Sequence, residues 1–139
     1  KLPNDASLAL GTGEVNLLGL TAAYAPFFNG GRRVQPHGLD LTGRQPPQPV
    51  IDSQTAAQMA RMLRAVVTRG TGRAAAVPGQ VVAGKTGTTQ DFRDAWFVGA
   101  TDGLLIGIWL GNDDNHPTKG VAGGGLPARL FHDIAVSIR

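Results

Sequence analysis

Apolar residues recur along this chain with two different periods. From Glu14 to Phe28, the residues Leu17, Leu20, Tyr24, Phe27 and Phe28 fall on one side of a helical repeat, which predicts a helix. Thr12 is placed to cap it and Gly30-Gly31 to stop it. A second helix is predicted from Gln54 to Arg69, capped by Asp52 or Ser53, ended by Gly70, with Met59, Leu63, Val66 and Val67 on its apolar face. A third runs from Pro127 to Ile138, with proline at its first turn and Leu130, Phe131, Ile134 and Ile138 along one side. Between the second and third helices the pattern changes to β-branched and aromatic runs. Strands are predicted over Gln80 to Thr88, Ala95 to Thr101 and Leu104 to Leu110. The last two are joined by Thr101-Asp102-Gly103, and Asp-Gly tolerates the positive φ of a tight hairpin.

The remaining segments read as a short strand from Arg32 to Gly38 and as loops over Asp40 to Pro49 and Gly111 to Gly125. Consecutive hairpins give an antiparallel sheet, and helices must cover it. The expected class is therefore α+β, an antiparallel sheet flanked by helices, with residues 1–139 forming part or all of a single domain. Trp96, Phe97, Trp109 and Phe131 are the expected aromatic core.

Composition narrows the chemistry. The 13 basic and 10 acidic residues leave a net charge of +3, and the arginines are scattered without a recognition motif, so no nucleic-acid partner is expected. The chain has no cysteine, which excludes disulfides and thiolate metal sites. His37, His116 and His132 lack the spacing of metal ligands, and no cofactor is implied. No apolar run approaches the roughly 20 residues that cross a bilayer.

Chemistry concentrates at Val81-Val82-Ala83-Gly84-Lys85-Thr86-Gly87-Thr88-Thr89. Residues Gly79 to Thr86 match the phosphate-loop pattern G-x-x-x-x-G-K-[ST] letter for letter. A phosphate loop must open a helix, however, and Gly87 with the β-branched Thr88-Thr89 disfavours one. Read as a strand, alternation puts Lys85 and Gly87 on one face and Thr86 and Thr88 on the other. At a sheet border such a strand pairs with an extended peptide, and an N–H near Thr88 holds a developing oxyanion. The plain alternative is a structural strand whose lysine reaches solvent. Asp91, Arg93 and Asp94 follow at once and fit turn formation better than substrate contact. Asp113-Asp114 fits a solvated loop.

Lys85-Thr86-Gly87-Thr88-Thr89, followed by Asp94-Ala95-Trp96-Phe97-Val98-Gly99, resembles the Lys-Thr-Gly region of penicillin-binding proteins, and most of all the transpeptidase domain of the class A bifunctional enzymes. Ordered matches extend it: Ser7-Leu8-Ala9-Leu10-Gly11 with Glu14, Ala22-Ala23-Tyr24-Ala25, Asn29-Gly30-Gly31, Gly70-Thr71-Gly72-Arg73-Ala74 and Trp109-Leu110-Gly111-Asn112-Asp113. The resemblance implies a partial penicillin-binding, β-lactamase-like fold. It implies acyl transfer on the D-Ala-D-Ala stem peptide of peptidoglycan, through an acyl-serine that β-lactams trap. It makes Lys85 and Thr88 catalytic, through positive charge and an oxyanion-binding N–H. It makes Thr86, Gly87, Thr88 and Thr89 substrate-binding, with the Thr86 and Thr88 hydroxyls directed at a carboxylate. It places the parent protein at the extracytoplasmic face of the inner membrane.

The pattern also departs from that family. Three positions after Ser7 stands Leu10, and after Ser53 stands Ala56, so no Ser-x-x-Lys exists. Two positions after them stand Ala9 and Thr55, so no Ser-x-Asn exists. The expectation is a C-terminal portion of a transpeptidase domain whose nucleophile lies in an upstream half. Its partners would be that half, a stem peptide or β-lactam, and a second copy in a dimer or swapped assembly. The alternative from another class is a non-catalytic module that binds a peptide or carboxylate. A nucleotide site at Gly79–Thr86 is third.

Overall fold

The computed structural model describes Ala6, residues 13–38 and residues 46–138. The cap expected at Thr12 and most of the loop expected over 40–49 lie outside them. Three strands form one antiparallel sheet in the order β1-β2-β3: β1 is Ala83–Thr88, β2 is Asp94–Thr101 and β3 is Leu104–Gly111. The helices are α1, Leu17–Tyr24, α2, Ser53–Arg69, and α3, Leu126–Ser137. The α+β architecture follows from the two periods in the sequence.

Register fixes the two faces. Lys85 lies opposite Val98, Thr86 opposite Phe97, and Phe97 opposite Ile108. One face therefore carries Gly84, Thr86, Thr88, Phe97, Gly99 and Ile108, and the other carries Lys85, Gly87, Trp96, Val98, Gly107 and Trp109. Helix α3 covers the first face. Phe131 meets Phe97 edge-on at 5.0 Å, and both rings are fully buried. The close approach requires glycine at 99, where a Cβ would stand 2.6 Å from Phe97 and 2.9 Å from Phe131. Val67 of α2, together with Val77 and Val82, completes this core. Helix α1 lies on the second face, where a Cβ at Gly107 would collide with the Thr21 hydroxyl.

Helix α2 starts as the sequence indicates. The Asp52 carboxylate accepts from Thr55 N–H at 2.8 Å. That bond and one from the Thr55 hydroxyl hold its pKa below the usual carboxylate value. This contribution is complete above the unfolded pKa and fades as pH falls through the lowered folded one. The β2–β3 turn has Asp102 at φ 46° and Gly103 at φ 80°, as the Asp-Gly pair requires.

Several expectations are corrected. Helix α1 is shorter than residues 14–28, because the Asn16 side chain caps it by accepting from Gly19 N–H at 2.7 Å. Beyond Tyr24 the chain tightens into a 3₁₀ turn at Ala25–Phe27, where Pro26 has no N–H to continue the ladder. None of its apolar face is fully buried, and Leu18 is 63% exposed. The strand expected over Arg32 to Gly38 is a single bridge from Arg32 to Pro49, since Pro36 lacks a ladder donor. Strand β1 begins at Ala83, because Gly79 at φ 77° and the bond from Gln80 N–H to Val77 O keep the chain in a turn. On α3 the buried residues are Pro127, Ala128, Phe131 and Ala135, while Ile134 and Ile138 face solvent. Trp96 and Trp109 are not core: they pair half-buried at 6.2 Å on the face that carries Lys85.

Deleting the ring in Phe131→Ala removes the centre of this core, and a loss of about 3–5 kcal/mol is expected in urea unfolding. A loss below about 1 kcal/mol would contradict the placement of Phe131.

Candidate functional site

Strand β1 is a border strand, and its ladder decides what it shows outward. Thr89 N–H donates to Asp94 O at 3.0 Å, and residues 89 and 94 lie in register beyond the last strand pair, Thr88 and Ala95. Antiparallel pairs alternate between bonded and non-bonded positions. Gly87 and Lys85 therefore turn their backbone groups toward β2. Thr86 and Thr88 turn theirs away, to the border that no other strand covers among the described residues. The Lys85 ammonium lies along that border and donates to Thr86 O at 2.6 Å. A cation, an outward C=O at Thr86 and an outward N–H at Thr88 thus share one strip.

The threonine hydroxyls are on the opposite face from Lys85 and are individually held. Thr86 Oγ1 is 2.7 Å from Thr71 Oγ1, in the turn after α2. Thr88 Oγ1 accepts from Gly123 N–H at 3.0 Å. Thr89 differs: its hydroxyl donates to Asp94 Oδ2 at 3.2 Å and accepts from Asp94 N–H at 2.8 Å. That hydroxyl is committed to the β1–β2 turn. Gly87 leaves room beside Trp96, where an added Cβ would sit 3.3 Å from the Trp96 Cβ.

Asp94 joins the three strands at this end. Its Oδ1 accepts from Trp109 Nε1 at 2.8 Å, while its other oxygen serves Thr89. The turn itself holds Asp91 and Phe92 at φ 57° and 54°. Thr118 pins it, through N–H and hydroxyl bonds to Phe92 O at 2.9 and 2.6 Å. Arg93 Nη1 donates to Asn115 O at 2.6 Å. Asp91, Arg93 and Asp94 are thus turn and strand-tying residues. Gly123 carries no motif of its own, and Thr71 and Trp109 enter the resemblance only within Gly70-Thr71-Gly72-Arg73-Ala74 and Trp109-Leu110-Gly111-Asn112-Asp113; no sequence signal gives the contacts they make here.

The phosphate-loop reading of Gly79–Thr86 fails on geometry. Lys85 is in mid-strand, β1 continues to Thr88, and no helix opens at Thr86 to hold an anion. Among the described residues, no three histidine, aspartate or glutamate side chains gather as metal ligands. A cleft of about 690 Å³ is elsewhere among the described residues. It lies between α1, α2 and the sheet, lined by Leu18, Ala25, Phe28, Ala83 and Leu105, with Arg61 and Arg64 among its walls.

A lysine and an outward threonine N–H thus share one strand border in an α+β fold, and comparison with known proteins decides the family. The model of the penicillin binding protein transpeptidase domain matches residues 3–135. This chain belongs to the penicillin-binding protein transpeptidase domain family. It is 45% identical over 117 residues to penicillin-binding protein 1A of Aquifex aeolicus, covering 77% of this chain and 16% of that protein. It is 38% identical over 145 residues to penicillin-binding protein 1A of Neisseria meningitidis serogroup A, covering 92% and 18%. The fold is that of the D,D-transpeptidase domain of a peptidoglycan glycosyltransferase from Eggerthella lenta, with a TM-score of 0.71 at 24% identity over 99% of this chain and 36% of that one. The chain therefore spans less than a fifth of the length of these curated relatives.

Replacing Asp94 with alanine strands the Trp109 indole N–H and the Thr89 hydroxyl. A loss of about 1–3 kcal/mol is expected in urea unfolding, with a red shift of tryptophan emission. Unchanged emission with a loss under about 0.5 kcal/mol would show that Asp94 does not tie the strands.

Proposed function

We propose that this chain is the carboxylate- and oxyanion-binding part of a serine D,D-transpeptidase that cross-links peptidoglycan at the extracytoplasmic face of the inner membrane. The observation that carries it is the strip on β1, where the Lys85 ammonium and the outward Thr88 N–H lie on one border that no other strand covers among the described residues.

Each residue has a role in acyl transfer. A serine hydroxyl attacks the carbonyl of the penultimate D-alanine of a stem peptide, or of a β-lactam. The carbonyl oxygen becomes an oxyanion, which the Thr88 N–H receives; one such donor contributes on the order of 10²–10³ in rate. The intermediate collapses by breaking the carbonyl C–N bond. The serine proton passes through the base to that nitrogen, and the terminal D-alanine leaves as its amine (a β-lactam ring opens and stays attached). The amine of a second stem peptide then takes the acyl group from the serine. The Lys85 ammonium supplies positive charge to the terminal carboxylate and to a second serine. The hydroxyls of Thr86 and Thr88 donate to that carboxylate, an acceptor-only group. Thr89 acts one step back, by holding the turn that ends β1. The peptide backbone adds to the border as an extra strand.

The chain carries neither Ser-x-x-Lys nor Ser-x-Asn, so the nucleophile and its base come from another segment. Two surfaces suit that segment. One is the apolar cleft between α1, α2 and the sheet. The other is the outer border of β3, which has no partner strand among the described residues and where Leu104 is 46% exposed. Apolar surface and an open strand border both favour association. The isolated chain accordingly forms dimers or swapped assemblies when that segment is missing.

One experiment addresses both points. The chain is mixed with a fluorescent penicillin alone and again after co-expression with a serine-bearing upstream segment, and each sample is sedimented. We expect no covalent label and self-association for the chain alone. With the segment we expect stoichiometric label and a one-to-one complex, with acylation slowed on the order of 10²-fold or more in Lys85→Ala. Label on the chain alone, or none in the complex, overturns the reading; a non-catalytic carboxylate-binding module would give the second result.

A further inference from the structure

Two loops, remote in sequence from β1, hold the hydroxyls on its inner face. The turn after α2 brings Thr71 Oγ1 within 2.7 Å of Thr86 Oγ1. The glycine run before α3 brings Gly123 N–H within 3.0 Å of Thr88 Oγ1. The loops also lock each other: a Cβ at Gly124 would stand 2.4 Å from Thr71 O. A Cβ at Gly123 would stand 2.4 Å from both Gly87 O and Trp96 O, so glycine is needed for the loop to lie flat on the β1–β2 ladder.

A hydroxyl has one proton and two lone pairs. The Gly123 N–H occupies a lone pair on Thr88 and leaves the proton for an outside acceptor. In the Thr71–Thr86 pair one proton lies between the oxygens and the other remains to be donated. An anion beside Thr86 favours the order in which Thr71 donates to Thr86 and Thr86 donates outward, because donors in a chain strengthen one another. A neutral ester or amide carbonyl gains less, since charge-assisted bonds are about twice as strong as neutral ones.

We propose that Thr71 and Gly123 are positioning residues that set the Thr86 and Thr88 hydroxyls as outward donors, and so select a carboxylate over its neutral derivative. This rests on the transpeptidase reading above. Neither residue touches the reacting atoms; each acts through a threonine of β1.

The test uses the complete, serine-bearing domain. Second-order acylation rates are measured by intact mass for a penicillin and for its methyl ester, in wild type, Thr71→Val, Thr71→Ser and Gly123→Ala. Valine keeps the shape of threonine without the hydroxyl, and serine keeps the hydroxyl. We expect Thr71→Val to lower the acid-to-ester rate ratio about tenfold, through the acid rate, and Thr71→Ser to restore it. Gly123→Ala is expected to lower the ratio in the same direction. A purely structural role would slow both probes alike and leave the ratio unchanged, and that result overturns the proposal. Wild type that acylates with neither probe overturns the transpeptidase reading, and this proposal with it; wild type that acylates with an unchanged ratio in Thr71→Val overturns only this one.

Discussion

The pairing of β1 on β2 is the constraint from which the site follows. Side chains alternate with period two, so a slip of one residue would exchange the faces of Lys85 and Thr86 and turn the Thr88 N–H into the sheet. The bond from Thr89 N–H to Asp94 O sets the phase of that ladder. Asp94 then fixes it from the far side, with one carboxylate oxygen on the Thr89 hydroxyl and the other on the Trp109 indole of β3. One short acidic side chain thereby ties the end of β1 to both other strands. The cation and the outward amide at the border keep their places because this end cannot slide.

Close backbone approach is the second requirement. Gly84 and Gly99 let the Phe97 and Phe131 rings settle on the sheet, and a Cβ at Gly84 would reach 2.7 Å from both Phe97 and Val98 O. The same economy of volume operates at the Thr88 end of β1, where Gly123 rests on the Gly87–Trp96 pair. The core and the site are thus built by one device on opposite ends of β1: omitted side chains that let a helix or a loop touch the ladder.

The sequence was legible where a single local interaction decides. Asp52 and Gly70 bracket α2 as capping chemistry requires, and Asp102-Gly103 makes its hairpin. It was less legible where two local signals compete. Val81-Val82 looks like a strand, yet Val82 enters the core from a turn that Gly79 imposes. Ile134 and Ile138 are as apolar as Phe131, yet Ala128 and Ala135 share the buried face because small residues let α3 approach the sheet. The half-exposed position of the tryptophans is hidden in the sequence for a related reason: strand alternation assigns Trp96 and Phe97 to opposite faces, but not which face a helix buries. At the site, Lys85 through Thr89 stand out by composition, whereas Thr71 and Gly123 reach them only through tertiary folding. No periodicity in the chain announces a contact between residues 35 apart, such as Gly123 with Thr88.

The most direct measurement is a crystal structure of the complete, serine-bearing domain acylated by a penicillin. We expect the acyl carbonyl oxygen about 2.7–3.1 Å from the Thr88 nitrogen, with the carboxylate within hydrogen-bonding reach of the Thr86 and Thr88 hydroxyls. An acyl oxygen turned away from β1, or a carboxylate facing solvent beyond the reach of those hydroxyls and of Lys85, would contradict the assignment of this strand as the wall of the site.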